Sequence, residues 1–207
     1  MHQKLAIVGA GGCGRSLLAL LRQVGRGDEL ACFYEEPDCY RKRQVMDLPV
    51  RSLHEFEPDR QQLLLAIGSP RERLRLAAEL PAQTRFASCV HPQAFFLEPL
   101  DIPAGTVIYP MTYFSRNIRL GAHSLIMTGT IMGHDLELGA GLTTSAHVGI
   151  GGSVRIGQAV FCGLHSAIRD GIQITDHVTL GMGAIAVRDL KEAGVYIGNP
   201  ARKRKEV

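Results

Sequence analysis

Between Ile102 and Ile185 the apolar residues recur every six positions without one insertion, in fourteen consecutive hexads. In that frame the chain reads IPAGTV, IYPMTY, FSRNIR, LGAHSL, IMTGTI, MGHDLE, LGAGLT, TSAHVG, IGGSVR, IGQAVF, CGLHSA, IRDGIQ, ITDHVT, LGMGAI. The first position is mostly aliphatic (Ile108, Ile126, Leu138, Ile150, Ile174, Leu180), and the fifth is small or β-branched (Thr106, Thr130, Val148, Val160, Ala184). Unbroken hexapeptide periodicity is the signature of a parallel β-helix. Each hexad then forms one flat side of a triangular coil, with positions one and five pointing inward. The glycine-rich second position (Gly121, Gly133, Gly139, Gly151, Gly157, Gly163, Gly181) is expected to turn the corners. Three sides make a coil of eighteen residues, so residues that far apart stack at roughly the 4.8 Å strand spacing. A sandwich of short strands would need irregular turns and period-2 alternation, which this frame lacks.

Upstream the period changes. KLAIVG reads as a buried strand, and Gly9, Gly11 and Gly14 follow in G-x-G-x-x-G spacing before a helical run, SLLALLRQV. Such glycines permit a tight turn, and the helix start offers free N–H groups to a phosphate. A second strand, ELACFY, ends at Glu35 and Glu36, where an acidic residue would meet a ribose hydroxyl in a dinucleotide fold. A third, QLLLAIG, ends at Gly68 and leads into a basic helix, RERLRLAAEL. A dinucleotide fold needs two βαβαβ halves, and only about 80 residues precede the coil, room for one mononucleotide half. A nucleoside diphosphate carrying another group therefore fits better than NAD. The expected organisation is a Rossmann-like α/β half-domain over 1–85 and a β-helix domain over 86–207, with Phe86 to Leu100 as the passage between them.

The 207 residues are 45% hydrophobic and 21% charged, with a net charge of +3, which is ordinary for a soluble globular protein and does not favour nucleic acid. The basic run Arg202, Lys203, Arg204 and Lys205 reads as a solvated terminus, or as a helper for a phosphorylated ligand. No apolar run approaches the roughly 20 residues that cross a bilayer, so membrane insertion is not expected. Five cysteines without a CxxC pair suit reduced thiols, and a cytoplasmic protein is expected.

The coil's histidines (His123, His134, His147, His165 and His177) fall at outward positions, where polar residues usually decorate a surface. His134 differs because Asp135 follows it at once: a carboxylate beside an imidazole fixes its tautomer and stabilises its protonated form. Such a histidine suits general-base work. Eighteen residues on, Gly152 would stack a bare backbone beside it, leaving room for a ligand and an N–H for a developing oxyanion. His147 and His165, also eighteen apart, invite a zinc hypothesis of the carbonic anhydrase kind, but the histidine spacings do not supply two close ligands in one coil, and no metal is expected.

The segments VGAGGCG, CFYEE, LAIGSPRERL, GHDLELG, GGSVRIG and IGNPARK, with His91-Pro92, together resemble one family along the whole chain. It comprises bacterial sugar acyltransferases that join a nucleotide-binding half-domain to a left-handed β-helix. Among them are N-acetyltransferases acting on UDP-4-amino sugars in bacillosamine synthesis and on GDP-perosamine, and sialic acid O-acetyltransferases. The resemblance implies acetyl-CoA-dependent transfer to the amino group of a nucleotide-linked sugar, with His134 as general base, Asp135 as its carboxylate and the Gly152 N–H on the oxyanion. It implies that Gly11, Gly12 and Cys13 line the phosphates, with Glu35 and Glu36 near base or ribose and Gly68 at the pocket's border. Acetyl-CoA would pass Thr143, Gly152, Leu164 and Met182 between subunits of a homotrimer. Thr143 stands where the family often has a second histidine, Cys13 replaces a frequent histidine, and Glu35 and Glu36 replace aspartates. Those departures keep open a non-catalytic trimeric nucleotide-sugar-binding protein, besides sugar O-acetylation.

Overall fold

The computed structural model describes residues 4–204; Lys205, the end of the basic run, lies outside the described residues. The N-terminal unit is an α/β half-domain: β1 (Lys4–Val8), α1 (Gly12–Gln23), β2 (Leu30–Glu35), β3 (Gln44–Val45), β4 (Leu48–Ser52), β5 (Gln61–Leu65), α2 (Pro70–Glu79) and β6 (Arg85–Phe86). The sheet order is β3-β4-β2-β1-β5-β6, parallel except for the β3–β4 hairpin. The connection reverses between β1 and β5, which opens a crevice beyond their carboxyl ends. Gly14 is dictated by close packing there, because a Cβ on it would lie 1.8 Å from the Gly9 carbonyl oxygen.

From Cys89 onward the chain winds as a left-handed parallel β-helix of three sheets. Strand partners are eighteen residues apart, as in Leu125 with Thr143, Ile131 with Gly149 and Leu136 with Ile118. First-position Ile108, Ile126 and Leu180 and fifth-position Val154, Val160 and Ala184 are all buried in one continuous core.

The corners revise the expectation for glycine. The residue that turns each one is the fourth of the hexad, with φ between 53° and 73° at every corner from Gly105 to Gly183. Nine of these are not glycine, among them Asn117, Asp135, His123, His147, His165 and His177. The left-handed region tolerates Asn, Asp and His better than other side chains, which gives four of the coil's histidines a backbone reason to exist. The second-position glycines have ordinary φ values and answer a different demand. A Cβ on Gly121 would lie 2.4 Å from the Ala140 backbone nitrogen, and one on Gly139 would lie 2.5 Å from the Gly157 carbonyl carbon. They are required by the closeness of the next coil.

The three faces differ outwardly. The docking face (Val107, Leu125, Thr143, Phe161, Thr179) meets the half-domain, and Val107, Tyr109 and Leu125 share a core with Leu5, Ile7, Leu17 and Leu21. The apolar face carries the ladder Phe95, Tyr113, Ile131, Gly149, Ala167, Ile185, with Phe95 and Ile131 exposed. The charged face carries Arg119, Glu137, Arg155 and Gln173. On the docking face the last strands are Gly194–Ile197 and an antiparallel partner, Arg202–Lys203.

These two kinds of glycine separate by mutation. Gly171 (φ +73°) has open space around it, so Gly171→Ala costs about 1–2 kcal/mol from backbone conformation alone. Gly121→Ala meets backbone and is expected to lower the thermal midpoint well below that of Gly171→Ala, at equal protein concentration.

Candidate active site

His134, Asp135, Gly152 and Asp170 share the corner between the apolar and charged faces. Asp135 is the left-handed corner residue there (φ 57°), and this turns its carboxylate back onto the preceding imidazole. His134 Nδ1 lies 2.7 Å from Asp135 Oδ2. An ionised carboxylate only accepts, so Nδ1 holds the proton and Nε2 keeps a free lone pair. Asn117, one coil earlier, donates from Nδ2 to Asp135 Oδ1 at 2.6 Å. The Asn117 amide first, and then His134, hold the Asp135 carboxyl below the ordinary carboxylate range. Asn117 was not foreseen from sequence; the signal for it is the eighteen-residue offset from Asp135.

Gly152 lies under the imidazole: a Cβ on it would sit 2.7 Å from both Cε1 and Nε2 of His134. Any other residue would cover the reactive edge of the ring. His134 is accordingly exposed, with 56% of its side chain accessible. The expectation for the Gly152 amide needs correcting, because its N–H donates to Asp170 Oδ1 at 2.6 Å and is not open to an oxyanion. Asp176 accepts from the Gln158 N–H in the same way at 2.7 Å, and Asp189 from that of Gln173 at 3.0 Å. Aspartates in one coil thus secure the turn amides of the coil before. A cleft of about 460 Å³ opens beside the corner, lined by Asn117, Asp135, Ser153, Gly171 and the charged-face residues Arg119 and Arg155.

Leu164 and Met182 sit at a different corner, between the docking and apolar faces, both exposed, near the His147 and His165 rings stacked 5.1 Å apart. Within one chain they do not join His134. Thr143 requires a second correction. It is 3% exposed and lies beneath the half-domain, its hydroxyl taking a hydrogen bond from Arg73 Nη2 at 2.8 Å and facing the Gly68 carbonyl at 3.4 Å. It is therefore sealed away from the coil's outer surface, where an acyl donor would run.

In the half-domain, Gly11, Gly12 and Gly68 border the crevice between β1 and β5, and a Cβ on any of them would meet nothing within 4 Å. Helix α1 starts at Gly12 with no side-chain cap, which leaves its first amides to a ligand. Cys13 is half-buried, and burial pushes its thiol up against the opposing charge of Arg73. Glu35 ends β2 and Glu36 follows it, but both already hold cations: Glu35 takes two bonds from Arg43 at 2.7 and 2.8 Å, and Glu36 one from Arg75 at 2.7 Å. Among the described residues no group of three or more potential metal ligands comes together.

Comparison with known proteins matches residues 4–80 to the family described as PglD N-terminal domain. Curated protein sequences give no significant match. Solved structures resemble the fold along essentially the whole chain. A mutant perosamine N-acetyltransferase from Caulobacter crescentus, in complex with CoA and GDP-perosamine, superposes with a TM-score of 0.87 at 24% identity, over 100% of this chain and 99% of that one. The acetyltransferase domain of PglB from Neisseria gonorrhoeae FA1090, in complex with acetyl coenzyme A, gives 0.77 at 24% identity over 99% and 100%. WeeI from Acinetobacter baumannii AYE gives 0.81 at 21% identity over 97% and 99%.

The Asn117 contact is testable by acid titration. Because the folded carboxyl of Asp135 is depressed, its stabilising contribution is present above the ordinary carboxylate range and is lost as pH falls through the depressed value. In Asn117→Ala the carboxyl, followed by carbon-detected NMR, is expected to titrate at higher pH than in the wild type.

Proposed function

We propose that the protein is an acetyltransferase that moves the acetyl group of acetyl-CoA to the amino group of a nucleotide-linked sugar. The observation that carries this reading is the His134–Asp135 pair, with Nε2 bare, exposed and uncovered over Gly152. Nε2 takes a proton from the sugar's amine as that nitrogen attacks the thioester carbonyl. The imidazolium, steadied by Asp135, returns the proton to the departing thiolate, and coenzyme A leaves as a thiol. No covalent enzyme intermediate is needed. General-base help of this kind is worth about 10²- to 10⁴-fold.

The acceptor's nucleotide belongs in the half-domain crevice, where Gly11, Gly12 and Cys13 meet the phosphates and Gly68 forms the far wall. Glu35 and Glu36, each tied to an arginine, present their charges as ion pairs toward the base or ribose. The CoA and GDP-perosamine bound in the Caulobacter crescentus enzyme, and the acetyl coenzyme A bound in the PglB domain, support this pair of substrates. Such substrates, and five free cysteines, fit a cytoplasmic enzyme that supplies polysaccharide biosynthesis.

The working unit is a homotrimer. The ladder from Phe95 to Ile185 presents Phe95 and Ile131 to solvent on one flat face, a surface suited to a neighbouring protomer. It lies between the corner of His134 and the corner of Leu164 and Met182. A neighbour packed on it brings one chain's base to the other chain's Leu164 and Met182, which then flank the acyl donor.

Thiol release from acetyl-CoA in the presence of UDP-, GDP- and TDP-linked 4-amino sugars tests the reaction. His134→Ala is expected to lower turnover by about 10²- to 10⁴-fold with affinities retained; undiminished turnover would refute the assignment. Ile131→Glu is expected to give monomers by light scattering and to lose activity together with assembly.

A further inference from the structure

Arg73 is among the largest fully buried side chains of the described residues, 1% exposed, and its partners are five neutral oxygens. Nε donates to the His123 carbonyl at 2.8 Å, Nη1 to the Ile67 carbonyl at 2.6 Å, and Nη2 to the carbonyls of Gly141 at 3.0 Å and Leu142 at 3.4 Å and to Thr143 Oγ1 at 2.8 Å. Burial pulls its pKa down to about 10, with Cys13 opposing, and it stays protonated at neutral pH. The guanidinium thus bridges two corners of the coil and the loop that follows β5.

The loop end of this bridge bears on the crevice. The Ile67 carbonyl is held by Arg73, and the Thr143 hydroxyl lies 3.4 Å from the Gly68 carbonyl. Both peptides are trans, and in a planar trans peptide the C=O and N–H point in opposite directions. Drawing the two carbonyls toward the coil therefore turns the N–H groups of Gly68 and Ser69 away from it. These N–H groups immediately precede α2, whose first helical residue is Pro70. Successive N–H groups directed one way, at the start of a helix, favour an anion.

We infer that Thr143 and Arg73 are positioning residues of the nucleotide pocket, fixing the Ile67–Gly68 peptides so that the Gly68 and Ser69 N–H groups face a diphosphate across from Gly11 and Gly12. The inference rests on the proposed binding of a nucleotide in the half-domain and deepens it. It gives Thr143 a role opposite to the one implied by the family resemblance, which set it on the acyl donor. The threonine is suited to the place because its hydroxyl can accept from the guanidinium while donating to the carbonyl.

The test is calorimetric titration of UDP and GDP, and separately of acetyl-CoA, into the wild type and into Thr143→Val, which keeps the shape and removes the hydroxyl. Thr143→Val is expected to weaken nucleoside diphosphate binding about tenfold, equivalent to ~1.4 kcal/mol, with acetyl-CoA affinity unchanged. Thr143→Ser is expected to restore nucleotide affinity, which a mere packing defect would not allow. Unchanged nucleotide binding, weakened acetyl-CoA binding, or equal loss of both ligands with a lowered thermal midpoint would each overturn the inference. Wild-type protein that binds neither UDP nor GDP overturns the half-domain reading and this inference with it. Binding without thiol release in the wild type overturns the proposed reaction alone and leaves the role of Thr143 standing.

Discussion

The fold depends on stacking identical positions at one strand spacing, coil upon coil. Everything else adapts to that separation. It leaves no room for a Cβ at Gly121 or Gly139, it forces the fourth residue of each hexad into a left-handed conformation, and it lets a carboxylate in one coil reach a turn amide in the coil before. The cost of the nine non-glycine corners, of order 1–2 kcal/mol each, is offset by the continuous column of buried aliphatic side chains they enclose.

The same repetition builds the site. His134 is the coil histidine that does not turn a corner; Asp135 does so in its place, and the turn presents the carboxylate to the ring. A column that elsewhere holds side chains becomes bare at Gly152, so the imidazole edge has somewhere to face. Chemistry here is a local exception written into a periodic scaffold.

Much of this was legible in the residues. The inward hexad positions and the eighteen-residue stacking follow directly from periodicity, and the His134–Asp135 adjacency was visible as a motif. What escaped notice depends on a neighbour that no local pattern names. The second-position glycines looked like corner formers because the limiting contact, with the next coil's backbone, appears only on stacking. The Gly152 amide looked open because its acceptor, Asp170, lies one full coil further on. In the sequence α2 reads only as a basic helix with no arginine set apart, yet Pro70, Arg73 and Leu76 form a buried stripe at spacing three. That stripe was the available signal: a cation on the apolar side of a helix demands acceptors, and they come from the carbonyls and the Thr143 hydroxyl of the coil together with the Ile67 carbonyl. Thr143 was misplaced because a family position was carried across without the helix that covers it here.

A parallel coil has no natural end, since its last strand offers a row of unmet amides and carbonyls to any passing chain. In this protein the strand Arg202–Lys203 runs backward against Tyr196–Ile197 and bears cationic side chains. A reversed, charged edge strand discourages pairing with another parallel coil. At this edge of the described residues the docking-face sheet, the longest of the three, is thereby a poor template for end-to-end fibre growth.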